Sequence, residues 1–501
     1  MDFATIMGQV FASLTPQLIL VIGAGVFIGL VVGALPGLTT TMGIALLTGI
    51  TFKFGGNLAV ALLLGLYVGG VSGGCLSAIL LGIPGTPASA ATSLDGFPLA
   101  SQGKGAQAIY LARTASVIGT FIGIFALALF TPILTKLSLQ FTSVEFFVLG
   151  LFGVLISGTM SGQDIPVKGW MAGIFGLCVG MIGTDELTAY NRFTFGSPEL
   201  LGGVPFIPIM IGFFGIPQVV DALSSDQETI VAKLDHSRLK LRELTTRLGN
   251  VVRSGLIGVG IGIIPGVGED VAAWTAYGVA KKSSKRPEEF GKGSYDGIIA
   301  SETANNACIG GALVPLLSLG IPGSPPAAVL LGALLIHGVR PGPMLQFESP
   351  AFMAQNIAWL LVATLFMWVF SIFIAKPMQK ILQVKNAILM PIVAVLCAVG
   401  AFTLDLRFLD IILVFVAGIV GLAFSKGKYP PAPLVLGIIL GPFVDTNFRR
   451  GMLANDGNPM VFLTRPISLV LVLATVALIL AQLGVFRGLR SLFAKKAAAT
   501  P

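Results

Sequence analysis

Charged side chains are scarce in this chain. They make up 11% of its 501 residues, where soluble domains carry about 25%. With 54% hydrophobic residues and a mean hydropathy of +0.91, the sequence cannot cover a globule with water-facing groups, and a polytopic membrane protein is expected instead. Cysteine is sparse too. Cys75, Cys178, Cys308 and Cys397 lie far apart in apolar surroundings, a spacing that excludes a zinc site or a disulfide framework and leaves them as buried small side chains. No Walker A sequence occurs, which excludes ATP hydrolysis by this chain; energy must come from an ion gradient or another subunit, and no cofactor is expected. The formal charge of +8 fits Lys and Arg holding loops in the cytoplasm rather than a nucleic-acid surface. The N-terminus lacks the basic start of a cleavable signal peptide, so the first apolar stretch is expected to be retained.

What the sequence does contain is a set of interruptions, written twice. Leu81-Gly82-Ile83-Pro84-Gly85-Thr86-Pro87 returns as Leu319-Gly320-Ile321-Pro322-Gly323-Ser324-Pro325. Each copy lies downstream of a second matched pair, Gly33-Ala34-Leu35-Pro36-Gly37 and Gly262-Ile263-Ile264-Pro265-Gly266. Proline lacks a donor N–H and glycine favours non-helical backbone, so helices break there. Unwound backbone at membrane depth survives only where it is buried in protein or lines a cavity. Breaks at corresponding places in two halves point to a transporter binding site.

The duplication extends beyond these motifs. Residues 17–52 and 252–280 each read as a helical hairpin, with tips at Pro36-Gly37 and Pro265-Gly266. Residues 57–100 and 296–339 follow as helices broken at Gly82–Pro87 and Gly320–Pro325. Then come four apolar segments in each copy, 106–135, 143–158, 166–184 and 200–220 against 351–375, 386–403, 408–424 and 431–445, and a closing segment, 466–485. A hairpin returns to its own side while the broken helix and its four successors cross, so each copy makes an odd number of crossings. The expected fold is therefore all-α, with two oppositely oriented repeats, each with a helical hairpin and a broken transmembrane helix. Its expected divisions are a first repeat over 1–220, a cytoplasmic linker over 221–250, a second repeat over 251–447, and an extra helix with a basic tail over 448–501. In this scheme Lys104, Lys233, Arg238, Lys240, Arg242, Arg247, Arg253, Lys281, Lys282, Lys285, Arg286, Lys292, Lys376, Lys380, Lys385, Lys426, Lys428, Arg487, Arg490, Lys495 and Lys496 share one side. Positive-inside places that side in the cytoplasm and the N-terminus outside; Arg449 and Arg450 run against it.

The breaks nominate a site. Helix N-termini offer unpaired N–H groups to an anion, and exposed carbonyls with nearby hydroxyls suit a hard cation such as sodium. Gly37, Thr39 and Thr40 at the first tip, Gly85, Thr86 and Ser89 at the first break, and Gly323 and Ser324 at the second are expected to line a carboxylate site. Asn305 and Asn306 join them from Ser301-Glu302-Thr303-Ala304-Asn305-Asn306, the densest polar cluster in an apolar segment. Glu302, Asn305 and Asn306 share one helical face, and a polar stripe at membrane depth faces a cavity or a partner helix. Thr41, Gly266, Glu269, Asp270 and Glu302 are the candidate cation ligands; helix capping by Glu269 and Asp270, and an interhelical clamp by Glu302, are the structural alternatives. Asp95, in Leu94-Asp95-Gly96-Phe97-Pro98, reads as a loop residue with a turn or interface role, and Arg113 as a snorkelling cation or an anion attractor.

One pattern hints at an enzyme. Gly70-Val71-Ser72-Gly73-Gly74 matches G-x-S-x-G, and His337 lies in an apolar segment. The strand–turn–helix context of a nucleophile is absent, and the second copy, Ile309-Gly310-Gly311-Ala312, keeps the glycines without a serine, so close helix packing explains it better than an intramembrane serine hydrolase.

Taken together, Gly33–Gly37, Gly82–Pro87, Asp95-Gly96-Phe97-Pro98, Pro265-Gly266-Val267-Gly268, Glu302–Ala307 running into Gly310-Gly311-Ala312-Leu313-Val314-Pro315, and Gly320–Pro325 resemble the large membrane subunit, TctA, of tripartite tricarboxylate transporters over essentially the whole chain. The resemblance implies a multi-pass permease of the bacterial inner membrane, not an enzyme, that imports carboxylates on a sodium or proton gradient. It implies two partners, a small membrane subunit and a periplasmic substrate-binding protein. It also implies an elevator-type, ion-transporter-like fold in which a transport domain moves against a scaffold. The rival expectation is a stand-alone carrier or channel that needs no binding protein.

Overall fold

The computed structural model describes Gly8 and residues 14–52, 54–160, 166–224, 243, 245–384 and 386–482. Among the sequence expectations, Lys233, Arg238, Lys240, Arg242, Lys385 and the tail residues Arg487, Arg490, Lys495 and Lys496 lie outside these residues. Eight helices among the described residues are long and apolar enough to cross a membrane. The chain is a multi-pass, helical membrane protein.

Both segments expected as hairpins break into two helices at the expected places. Helix α1 (Pro16–Ala34) starts where the Thr15 side chain accepts from Leu18 N at 3.3 Å and Pro16 pre-sets the first turn. It stops at Leu35, because the residue before a proline is pushed out of helical geometry. Helix α2 (Thr40–Thr51) restarts behind Thr39, whose hydroxyl accepts from Met42 N at 3.2 Å. In the second copy α9 (Leu248–Ile263) ends before Pro265, and α10 (Gly268–Ser283) begins with Glu269 and Asp270 in its first turn.

The long helices α3 (Gly56–Leu81) and α11 (Tyr295–Leu319) are the core, buried without a gap from Ala59 to Leu81 and from Gly297 to Leu319. Each ends at a glycine in the left-handed region, Gly82 with φ 70° and Gly320 with φ 73°, where a side chain would be strained. The hairpin arms lie almost against them. A Cβ on Gly33 would collide with the Gly70 carbonyl, and one on Gly262 would sit 2.7 Å from Cys308 O. Small residues permit this contact between backbones, which drives helix association where lipid offers no hydrophobic incentive. Beyond the breaks run α4 (Ser89–Leu99) and its counterpart α12 (Pro325–Ile336).

Four features depart from the sequence expectation. Cys178 is exposed, unlike the other three cysteines, because its helix presents that face outward. Asp95 is not in a loop; it lies inside α4, which passes through a π-type turn at Ala100–Lys104 into α5 (Gly105–Ser138). Its Oδ1 accepts from the backbone N–H groups of Gly291 (2.8 Å), Gly293 (3.0 Å) and Ser294 (2.8 Å), so the turn it organises belongs to another segment. Helix α6 (Ser143–Met160) and α7 (Pro166–Gly180) form as expected, but the chain then makes a two-residue antiparallel ladder, Gly183–Thr184 with Asn191–Arg192, a small exception to an all-α reading. The last apolar segment of the first copy is shifted to α8 (Phe206–Ser224).

The second copy continues through α13 (Phe352–Ile381), α14 (Asn386–Asp405), α15 (Phe408–Lys426) and α16 (Pro431–Leu453), followed by α17 (Pro466–Gln482). On α13, Leu365, Trp368, Val369, Ile372 and Phe373 are exposed along one stripe, an apolar face suited to lipid. Chain contacts divide the protein into two compact units, Met1–Leu139 with Pro205–Gly427, and Gln140–Val204 with Lys428–Pro501. These boundaries cut through both copies. In the second unit α7 and α16 pack through glycines, Gly176 against Leu434 O and Gly437 against Gly173 O.

Candidate functional site

The predicted polar residues gather along one face of α3, inside the larger unit. Tyr67, Gly70, Val71 and Gly74 follow the i, i+3, i+4, i+7 spacing of a single helical stripe, about 10 Å long. Each meets a different segment of the chain.

At the lower end of the numbering, the Tyr67 hydroxyl donates to Glu269 Oε1 and lies 2.7 Å from Ser324 Oγ. The single phenolic proton goes to the carboxylate, so Ser324 donates to the tyrosine. Ser324 also caps α12, accepting from Ala327 N at 3.3 Å. The second hairpin tip is bonded directly to the second break, Gly266 N to Pro322 O at 3.0 Å and Gly268 N to Gly323 O at 3.2 Å. Glu269, Gly266, Gly323 and Ser324 therefore form one cluster, closed by a tyrosine from the first copy. Asp270 sits half-buried in the same first turn of α10, where the helix terminus favours negative charge.

One turn along the stripe, a Cβ on Gly70 would lie 2.9 Å from Thr40 Oγ1, and at Gly74 the neighbours are Thr86 Oγ1 and Ser89 Oγ. Ser89 ties the first break to α4 by donating to Thr86 O at 2.8 Å and accepting from Thr86 N at 3.2 Å. Between them Asn305 Nδ2 donates to Val71 O at 3.3 Å.

The polar stripe of α11 is anchored throughout by hydroxyls. Glu302, fully buried, accepts from Thr92 Oγ1 at 2.6 Å and from Ser116 Oγ at 2.9 Å. Asn306 Oδ1 accepts from Ser72 Oγ at 2.6 Å, with Thr120 Oγ1 at 3.4 Å, while its Nδ2 donates to Glu302 O at 3.1 Å. Among the described residues neither Glu302 nor Glu269 has an ion-pair partner. A buried carboxylate supported by hydroxyls alone is held where its charge can be exchanged for a proton or balanced by a bound cation.

Not every predicted residue joins. Gly37 opens toward Gln218, Ala222 and Met390, all at 3.6–3.8 Å from a built Cβ, rather than toward the α3 stripe. Thr39 serves as the cap of α2, and Thr41 is buried in the same helix's first turn. Gly85 packs against the Gly33 carbonyl and Ser77. Arg113 stacks its guanidinium over Tyr110 at 4.6 Å. Ser72 is bound to Asn306, and His337 Nε2 lies 3.3 Å from Thr51 Oγ1, so serine and histidine do not form a nucleophile–base pair. Sequence reasoning missed Tyr67, Thr92, Ser116 and Thr120. For Tyr67 a signal existed: it stands fifteen residues before Gly82, as Asn305 stands fifteen before Gly320.

Comparison with known proteins adds to this geometry. No solved structure matches the chain. It is 34% identical over 459 residues, 91% of each chain, to an Agrobacterium vitis protein described as an "Uncharacterized 52.8 kDa protein in TAR-I ttuC' 3'region". A second Agrobacterium vitis protein, "Uncharacterized protein in TAR-II ttuC' 3'region", is 34% identical over 231 residues, 46% of this chain and 96% of its own length. The model of the tripartite tricarboxylate transporter TctA family matches residues 19–436, a span that takes in all four Pro-Gly breaks and every residue of the α3 stripe. That match covers most of the chain, and the chain belongs to this family of transporter subunits.

Proposed function

We propose that this chain is the permease subunit of a secondary active transporter that imports a di- or tricarboxylate, or a related organic carboxylate, across the bacterial inner membrane. Import is driven by a sodium or proton gradient. A periplasmic binding protein delivers the ligand and a small membrane subunit completes the complex. The two motif copies act as oppositely oriented repeats, and one domain moves as an elevator against the other.

The observation that carries this reading is the meeting of both copies on α3. Tyr67 from the first reaches Glu269 and Ser324 of the second, and Asn305 and Asn306 of the second reach Val71 and Ser72 of the first. Polar groups assembled at this depth from both copies make a site whose two walls can part toward either side of the membrane. Buried carboxylates without cationic partners supply the electrostatic link to a driving ion.

Deletion of the gene in its host, followed by uptake of a panel of radiolabelled di- and tricarboxylates, tests the proposal. Uptake of at least one carboxylate should be lost and restored by the wild-type chain, while Ser324→Ala and Glu269→Gln should restore no more than about a tenth of it at normal membrane abundance. Unchanged uptake of every carboxylate on deletion, or full rescue by both variants, would overturn it.

A further inference from the structure

The connection that follows α7, residues 181–204, lies wholly in the smaller unit. It holds the two-residue ladder, one 3-10 turn and irregular backbone. Such backbone is not exposed to lipid at hydrocarbon depth, so the loop stands among headgroups or in water. Tyr190, Phe193 and Phe195 are 71%, 63% and 89% exposed there. Neighbouring large rings turned outward on a loop that needs no lipid contact mark an interaction surface.

The loop holds these rings in place. Ala189, Phe193 and Phe195 have φ of 54°, 51° and 50°, three of the six non-glycine residues in the left-handed region among the described residues. That region is sterically disfavoured for a side chain and persists only where the surrounding structure imposes it. Here the ladder pairs Gly183 with Arg192 and Thr184 with Asn191. Asp185 N donates to Tyr190 O at 2.9 Å, and Ala189 N donates to Asp185 O at 2.8 Å. Arg192 pairs with Asp185 at 3.2 Å and with Asp445 of α16 at 2.9 Å, which ties the loop to a long helix. Arg449 pairs with the same two carboxylates, so both arginines are balanced. The exposed Glu186 and Glu199 have no ion-pair partner among the described residues. Arg450 forms no ion pair with the loop and stands about 100° round α16 from Arg449. The rings are thus flanked by uncompensated negative charge.

That charge selects the occupant. A negatively charged leaflet repels the two glutamates. A second copy meeting this loop about a twofold axis would set the same carboxylates against each other. A water-soluble protein with an apolar pocket rimmed by Lys or Arg matches both the rings and the charge. We propose that the 186–199 loop is the docking surface for such a protein, with Phe195 as its central anchor. Identifying that protein with the binding protein that delivers the carboxylate rests on the transport reading, and on the crossing count that sets this loop outside.

Photo-crosslinking in the host provides the test, with p-benzoylphenylalanine in place of Phe195 in the full-length chain. The same analogue in place of Leu473, exposed on the apolar helix α17, is the control. Illumination should join position 195, and not position 473, to a soluble exported protein identified by mass spectrometry. Binding of that purified protein to the chain in nanodiscs should weaken about tenfold or more in Phe195→Ser, and likewise in Glu186→Lys combined with Glu199→Lys. It should also weaken as salt rises, while Phe195→Tyr, which keeps the ring, should bind as the wild type does. No protein adduct at position 195, adducts with a second copy of this chain alone, or wild-type binding by both sets of variants would overturn the surface. Carboxylate uptake that depends on the chain without any such adduct would remove the surface and leave transport standing. An adduct and the expected binding losses in a chain whose deletion spares all carboxylate uptake would do the reverse.

Discussion

Asp95 joins two distant parts of the sequence through a single oxygen. Three N–H groups of the 291–294 turn converge on Oδ1 in a side chain that is fully buried. Removing the acceptor leaves three donors without a partner, so Asp95→Ala is expected to destabilise the protein by about 3 kcal/mol, whereas Asp95→Asn, which keeps an acceptor oxygen, should lose much less. Thermal midpoints of the two purified variants would show the difference; equal losses would mean that the oxygen is not what matters. The sequence marked Asp95 as a residue with a turn or interface role but assigned the turn to its own segment, because a pattern of Gly and Pro around it says nothing of a turn nearly two hundred residues away. Glu302 and Asn306 were legible as a costly polar stripe in an apolar run. Their hydroxyl partners Thr92, Ser116 and Thr120 were not, since threonine and serine in membrane helices more often bond the carbonyl four residues back, as Thr120 also does to Ser116 O at 2.8 Å.

At the scale of elements, the decisive contacts are between backbones. A Cβ on Gly262 would lie 2.7 Å from Cys308 O and 2.8 Å from Ala312 N, atoms of α11 that have nowhere to move. Gly262→Ala should therefore cost about 1–3 kcal/mol, while Gly260→Ala, on the same helix with nothing within 4 Å of the added carbon, should be neutral or stabilising by up to about 1 kcal/mol. Thermal midpoints that fall equally for both would contradict the packing. The ladder and its loop are held in another way. Asp185 pairs with both Arg449 and Arg192, and Asp445 with the same two arginines at 3.1 and 2.9 Å. The hydrogen-bonded Arg449 guanidinium, helped by the Thr188 hydroxyl, holds the Asp185 carboxyl well below its ordinary value. A depressed folded-state pKa adds stability that is fully present above the unfolded value of about 4 and disappears as pH falls through the folded one. The advantage of the wild type over Asp185→Asn in thermal midpoint should therefore be constant near neutrality and shrink below about pH 4. An advantage that grows on acidification would disprove the assignment.

For the whole molecule, the same network accounts for one of the two arginines that disturb the charge pattern. Arg449 is an ion-paired structural residue rather than a free positive charge. The crossing scheme places the loop bearing Phe195, 89% exposed, outside and the loop bearing Lys282 inside. In a chain with the exposed Cys178 replaced by serine, Phe195→Cys should react with an impermeant maleimide on intact spheroplasts. Lys282→Cys should react only after permeabilisation. Reversal of the pattern would invert the orientation, and labelling of both from one side would break the odd crossing count.

By itself the sequence determined that the chain enters a membrane, where its helices break, and that these breaks come in matched pairs, because hydropathy and the covalent limits of glycine and proline act over a few residues. Which side chains share a pocket was decided only by tertiary structure. Tyr67 finds Glu269 and Ser324, and Gly37 turns instead toward Gln218, because helix rotation and approach are set by glycine contacts between separate segments of the chain. The physical reason is one of range: local propensity fixes each element, whereas a site built from several elements depends on packing that no single stretch encodes.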